Sequence, residues 1–281
     1  MRVSGAFLII LMFLATQFLG LYVGNEYMRS IKRGELAPAL PQPEKVENSF
    51  ILFLYIIIVT IIILFTVRIW KGVVRGLEAF VVFFSSWFVF DFLFPFGIGM
   101  FSIGLFLALL LTIWKVLKPS ILSQNVAAVI SGAGVGSLLG GSLGLLPSLI
   151  FIIILSIYDF ISVFITKHMV RLAKIVTEKP TAFTIAAPHK FKKPVYIPFK
   201  KTKKKVHVFQ LGVGDMVIPL MFSVSLLSKF SILNSIITMI GSLIALFFLI
   251  TFTIKKPQVL PALPFITLGT LSGFLLSLMI L

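Results

Sequence analysis

Residues 206–227 read VHVFQLGVGDMVIPLMFSVSLL, an apolar run holding one carboxylate, Asp215, with Gly212, Gly214 and Pro219 around it. A hydrocarbon core about 30 Å thick takes about 20 apolar residues in helix, so the run is long enough to cross it. A carboxylate at mid-span costs about 2.5–3.5 kcal/mol on insertion scales, which makes Asp215 a functional candidate by default. A second run, residues 147–166 (PSLIFIIILSIYDFISVFIT), repeats the anomaly with Asp159 beside Tyr158.

The rest of the chain is apolar to the same degree. Of its 281 residues 59% are hydrophobic and 12% charged, with a mean hydropathy of +1.12. Soluble domains carry about 25% charged residues, so a soluble globular protein is excluded. The net charge of +16 would suggest nucleic acid in a soluble chain. Here the expected anionic partner is lipid headgroups, and no nucleic acid is expected. There is no cysteine, which removes disulfides, thiolate zinc sites and thiol nucleophiles. His168, His189 and His207 all lie in or beside one basic stretch, so no histidine-rich metal site or His-based triad is expected inside the membrane. Chemistry inside the membrane therefore falls to other groups, with no metal or cofactor expected.

Nine apolar runs can be drawn: 6–23, 50–67, 76–94, 96–114, 121–145, 147–166, 206–227, 232–254 and 259–281. The fold class expected is all-α, a polytopic membrane protein of nine transmembrane helices. The first run continues through Thr16 and Gln17 without a small-residue cleavage pattern, so it reads as a span and not a secretory signal. Lysine and arginine stay cytoplasmic. With nine spans, twenty of the twenty-five fall on the side of the N-terminus: Arg2, Arg68, Lys71, Arg75, Lys115, Lys118, twelve in residues 167–205, Lys255 and Lys256. Only Arg29, Lys32, Arg33, Lys45 and Lys229 fall opposite. The expected placement is the cell membrane, with the N-terminus cytoplasmic and the C-terminus outside.

The basic loop divides the chain into three parts: 1–166 with six spans, the loop 167–205, and 206–281 with three. Its first residues alternate Lys167, Arg171 and Lys174 with Met169, Leu172, Ile175 and Val176, a pattern for a helix lying along anionic headgroups. Residues 194–199 (PVYIPF) are an extended apolar stretch suited to guiding a substrate. On the other side, residues 25–49 with Pro38, Pro41 and Pro43 read as an exposed loop. In the fifth run Gly132, Gly136, Gly140 and Gly144 recur every fourth residue, a smooth stripe for close helix packing that Gly134 and Gly141 widen. No GxGxxG spacing follows a strand, so a phosphate cradle is not indicated.

Four acids lie within the runs. Glu78 and Asp91 sit near span ends and can reach the interface, Glu78 with Arg75 three residues away. Asp159 lies seven residues before residue 166 and Asp215 nine after residue 206, about 10 and 14 Å along two helices leaving the same loop. The two acids are thus expected at one level. Facing each other, they cannot both ionise comfortably and should share one proton, titrating as a unit. Gly212 and Gly214 open the turn before Asp215 to a second backbone. Pro219 lacks the amide that would bond the carbonyl of residue 215. Tyr158 could bring a hydroxyl near the site, and Pro261 and Pro264 keep the backbone before the last helix extended. Two intramembrane carboxylates serve either a proton- or cation-coupled transporter or channel, or acid–base hydrolysis.

Tyr158-Asp159, Gly212-Val213-Gly214-Asp215 and Pro261-Ala262-Leu263-Pro264 resemble the YD, GxGD and PAL motifs of the presenilin and signal peptide peptidase family of intramembrane aspartyl proteases. They fall, in order, on the sixth, seventh and ninth of nine runs. The resemblance implies an aspartic endopeptidase that cuts single-span membrane proteins within the bilayer, with Asp159 and Asp215 as its catalytic pair. It implies that Tyr158, Gly212, Gly214, Pro261, Ala262 and Leu263 line or support the site. The inferred orientation and Pro264 place the chain nearer presenilin than the peptidase branch. The loop 167–205 is short beside those of animal presenilins, which fits a compact, uncleaved, prokaryotic-type homologue.

The charge partition generates a direct test. Lys203→Cys introduces the only thiol, and an impermeant maleimide is expected to modify it from the cytoplasmic side alone; labelling from outside would overturn the topology.

Overall fold

In the computed structural model, residues 3–69, 71–95, 97–98, 101–164, 184–188, 208–255 and 260–281 are described. Among these residues nine helices follow the order of the nine runs. They are α1 Val3–Lys32, α2 Glu47–Ile69, α3 Lys71–Leu93, α4 Ile103–Leu117, α5 Ile121–Ser142, α6 Leu145–Phe164, α7 Gly214–Ser225, α8 Ile232–Lys255 and α9 Ala262–Ile280. Two short antiparallel pairs accompany them, β1 Gly97–Ile98 with β2 Phe101–Ser102 and β3 Thr184–Pro188 with β4 Val208–Gly212. Among the described residues six helices (α1, α3, α5, α6, α8 and α9) are long and apolar enough to cross a membrane. The apolar segments of α4 and α7, Ile103–Leu117 and Gly214–Ser228, are shorter.

Helix α5 lies at the centre, packed against α1, α3, α7 and β3. Its small residues put it there, because glycine lets neighbouring backbones approach to distances a Cβ forbids. A Cβ on Gly136 would come within 2.6 Å of Leu220 Cδ2, and one on Gly140 would strike the Met221 carbonyl, both on α7. Gly134 faces the Ser85 carbonyl of α3, and Gly141 faces the Tyr27 ring of α1. Gly132, Gly136 and Gly140 are thus the seat of α7, Gly134 and Gly141 seat α3 and α1, and Gly144, past the helix end at Ser142, lies against Glu44 instead of continuing the stripe. The N-terminus of α5 is fixed by a capping box between Ser120 and Ser123. Helices α8 and α9 use the same device, with Gly241 against the backbone of Gly269 and Gly273.

Two cores follow. One gathers Met12 and Phe13 of α1, Ala128 of α5, Ile185 and Ala187 of β3, Leu211 of β4 and Met216 of α7. The other joins Leu155 of α6, Val217 and Met221 of α7 and Leu263 of α9. Both combine the parts before and after the basic loop.

The structure corrects several expectations. Residues 206–227 are not one helix: Val208–Gly212 is a strand, and α7 begins at Gly214. The alternation of Val208, Gln210 and Gly212 with Phe209 and Leu211, ended by two glycines, suits a strand better than a helix start. The mid-helix depth count for Asp215 therefore fails, because the residues before it are extended. Residues 184–188, read as loop, form the partner strand. The fourth helix starts at Ile103, not near residue 96, because Pro95, Gly97 and Gly99 break the run and the Ser102 hydroxyl caps the helix on the Leu105 amide. Glu78 is buried and ion-paired with Lys115 of α4, itself buried. Breaking a buried pair costs about 3–5 kcal/mol, so this contact ties α3 to α4. Asp91 lies against Gly104 in the first turn of α4, where the helix dipole favours a carboxylate. The helix expected along residues 167–176 and the stretch 194–199 lie outside the described residues.

Paired glycine substitutions separate packing from propensity. Gly140→Ala is expected to lower the thermal midpoint in detergent, overpacking costing about 1–3 kcal/mol against a backbone atom that cannot yield. Gly76→Ala, with nothing within 4 Å of the new Cβ, should leave it unchanged or raise it.

Candidate active site

Strand β4 delivers the chain to the site. It ends at Gly212, and within three residues the backbone has turned into α7 with Asp215 in the first turn. A Cβ on Gly212 would lie 3.2 Å from Asp215 Oδ2, so glycine leaves room for the carboxylate to fold back over the end of the strand. There it hydrogen-bonds the Gly212 backbone. An added Cβ on Gly214 would meet nothing within 4 Å, which leaves the opposite side of the turn open. Pro219 sits inside α7, so the Asp215 carbonyl lacks its usual helical donor.

Asp159 comes from α6, five residues before its described end at Phe164. Its Oδ2 accepts a hydrogen bond from the Leu263 amide at 3.2 Å. That amide is free to donate because Leu263 is the second residue of α9, and the first four amides of a helix have no partner within it. Pro261 precedes the helix in an extended conformation, φ −65° and ψ 120°. The Leu263 side chain is buried against Leu155 and Val217, so one residue joins α6, α7 and α9 through backbone and side chain together. Asp159 and Asp215 lie close enough to act on each other electrostatically. Tyr158 stands edge-on to Phe53 of α2, with ring centroids 5.7 Å apart. Of the residues singled out in the sequence, Asp159, Asp215, Gly212 and Leu263 thus meet at one place. Pro261 and Ala262 flank it, and the Tyr158 ring points to α2.

Sequence reasoning overlooked a ring of buried amides. Gln17 of α1 donates to the Met216 carbonyl at 2.9 Å, next to Asp215. Thr16 beside it bonds the Met12 carbonyl and touches Met216 Sδ. Gln124 and Asn125 of α5 bond the backbone of β3. Each is a polar side chain in an apolar run, and the cost of burying an unpartnered amide was the signal that could have found it.

An apolar helical bundle that brings two carboxylates together from different helices defines a membrane-embedded protein of the two-aspartate class. Residues 10–281 match the family described as signal-peptide peptidase, presenilin aspartyl protease, and the chain belongs to it. It is an intramembrane aspartyl protease, an aspartic-type hydrolase, which decides against the transporter reading. No curated protein matches the chain. Its fold is similar to that of a presenilin family intramembrane aspartate protease solved in two space groups. In C222 the TM-score is 0.66 at 23% identity, covering 95% of this chain and 94% of the other. In P2 it is 0.68 at 24% identity, covering 97% and 96%.

The Leu263 contact yields a stability ordering. Asp159→Asn keeps an acceptor for the amide and should unfold near the wild-type midpoint or above it. Asp159→Leu strands the amide and should fall below Asp159→Asn by about 1–3 kcal/mol in denaturant or thermal titration.

Proposed function

We propose that Asp159 and Asp215 are the catalytic pair that hydrolyses peptide bonds within the transmembrane segments of single-span proteins. The observation that carries this reading is the approach of the two carboxylates, Asp159 bonded by Leu263 at the start of α9 and Asp215 folded over Gly212. The ionised member of the pair draws a proton from water as the oxygen attacks the peptide carbonyl, while the protonated member donates to the carbonyl oxygen. Collapse of the tetrahedral gem-diol breaks the C–N bond: the leaving amine takes the proton drawn from water, and a gem-diol hydroxyl returns its proton to the other carboxylate as the acid carbonyl forms, which restores the starting pair. One shared proton serves both halves of the cycle, and no metal or cofactor takes part.

A transmembrane helix bonds its own carbonyls, so a substrate has to unwind locally before water can attack and its freed groups need new partners. The outer edge of β4, the open side of Gly214 and the extended Pro261 before α9 supply them by strand addition. In this reading Gly212, Gly214, Pro261, Ala262 and Leu263 support the site and Tyr158 borders it. Nine helices cross the membrane, with the N-terminus inside, the C-terminus outside and the basic loop 167–205 against anionic headgroups. The chain is organised as 1–166, the loop, and 206–281. Asp159 lies near the end of α6 that enters this loop, so scissile bonds fall in the inner half of the substrate span. Substrates whose N-termini lie outside are preferred.

Purified protein with a single-span peptide tests the reading. Asp159→Asn and Asp215→Asn should each cut the cleavage rate at least about 100-fold while the protein stays folded, since neither acid fills both proton-transfer roles. Mass spectrometry should place wild-type cuts in the inner half. Cleavage near the wild-type rate in either variant, or cuts clustered in the outer half, would sink it.

A further inference from the structure

We propose that Asn125, aided by Gln124, is a positioning residue for this reaction: from α5 it takes the place of a third strand along β3, sealing that edge of the hairpin so that β4 is held in register at Asp215 and offers the edge open to substrate. The inference rests on the proteolytic reading given above.

The Asn125 amide makes both bonds that a neighbouring strand would make. Its Nδ2 donates to the Ala186 carbonyl at 2.8 Å, and its Oδ1 accepts from the Ala186 amide at 2.9 Å. Gln124 Nε2 donates to the Thr184 carbonyl two residues away, at 2.5 Å, and reaches the Thr184 hydroxyl at 3.1 Å. Both amide side chains are buried, with Asn125 7% and Gln124 3% exposed. They stand one turn inside α5, whose start is locked by the Ser120–Ser123 capping box, so they are presented from a rigid element. The glycine stripe of that same helix seats α7. One helix therefore holds both the strand pair and the helix that carries Asp215.

The register follows from strand geometry. The amide and carbonyl of a strand residue point to the same edge, and alternate residues point to opposite edges. Ala186 and Thr184 face α5, so Ile185 and Ala187 turn their backbone groups to β4, where they pair with Leu211 and Phe209. Gln210 pairs with Ala186 and Gly212 with Thr184, so these two residues turn their amides and carbonyls outward from β4. An unpaired strand edge accepts another strand. With the β3 edge occupied by side-chain amides, an incoming strand is directed to Gln210 and to the Gly212 carbonyl, the Gly212 amide being taken by Asp215. Without Asn125 the β3 edge would lie open at Ala186, and only the Gln124 bonds to Thr184 would remain as a polar tie to α5.

Asn125→Leu removes both bonds at nearly constant volume and is the decisive variant. In the full-length protein, kcat for a single-span peptide is expected to fall at least tenfold and the cuts to spread to additional positions by mass spectrometry. The amides of residues 184–187 should exchange with deuterium faster than in wild type, while those of α9 are unchanged. Wild-type kcat and products, or lost activity with wild-type exchange at 184–187, would overturn the proposal. Should Asn125→Leu fail to fold, Gln124→Met, which removes only the bonds to Thr184, should still spread the cuts; a wild-type product pattern there would overturn it too. Asp215→Asn run alongside separates the two readings. If it still cleaves, the catalytic assignment fails; if it is inactive and Asn125→Leu is normal, only the role of Asn125 fails.

Discussion

The hydrogen bond from the Leu263 amide to Asp159 is the contact on which the site depends. A carboxylate within an apolar bundle needs a donor, and the first turn of a helix has amides to spare. Supplying that donor from α9 draws the last helix against α6. The Leu263 side chain then closes the gap to α7. Because the bond uses backbone, the identity of the side chain at 263 is free to serve packing, and the extended Pro261 before it is kept from continuing the helix over the site.

Depth in the bundle is set by a different constraint. Helices cannot be driven together by a hydrophobic effect in lipid, so contact area has to come from close approach. The glycines of α5 provide it on three sides, and the buried amides of Gln17, Gln124 and Asn125 add directional bonds to it. These amides act on backbone groups next to the site: the Met216 carbonyl after Asp215, and the strand that aligns β4. Helix α5 carries neither aspartate, yet it determines where both α7 and the hairpin stand.

The Glu78–Lys115 pair is a further consequence of life in a low-dielectric setting. On separate helices each charge would need to reach the headgroups. Paired and buried, they instead fasten α3 to α4 at the periphery, away from the aspartates. Intramembrane charge thus serves structure in one part of this protein and chemistry in another. Sequence alone distinguishes the two poorly, because the partner of Glu78 lies thirty-seven residues away and not at helical spacing.

Amino-acid order by itself marked where the nine described helices lie, because an apolar run of about twenty residues has few other ways to satisfy its backbone. It did not mark their bounds: α1 runs on to Lys32 through residues read as loop, and the runs at 96 and 206 become helical only at Ile103 and Gly214. It also marked Asp159 and Asp215, whose burial cost makes them conspicuous, and the glycine stripe, whose period is that of the helix. Other features depended on partners distant in the chain. A strand at Val208–Gly212 exists only because residues 184–188 come back to pair with it, and that return is held by amides of α5. The donor to Asp159 is a backbone amide, which every residue but proline carries and which no side-chain pattern can announce. Which helix end would lend that amide was decided by tertiary packing, since only the folded bundle brings the start of α9 to the carboxylate of α6.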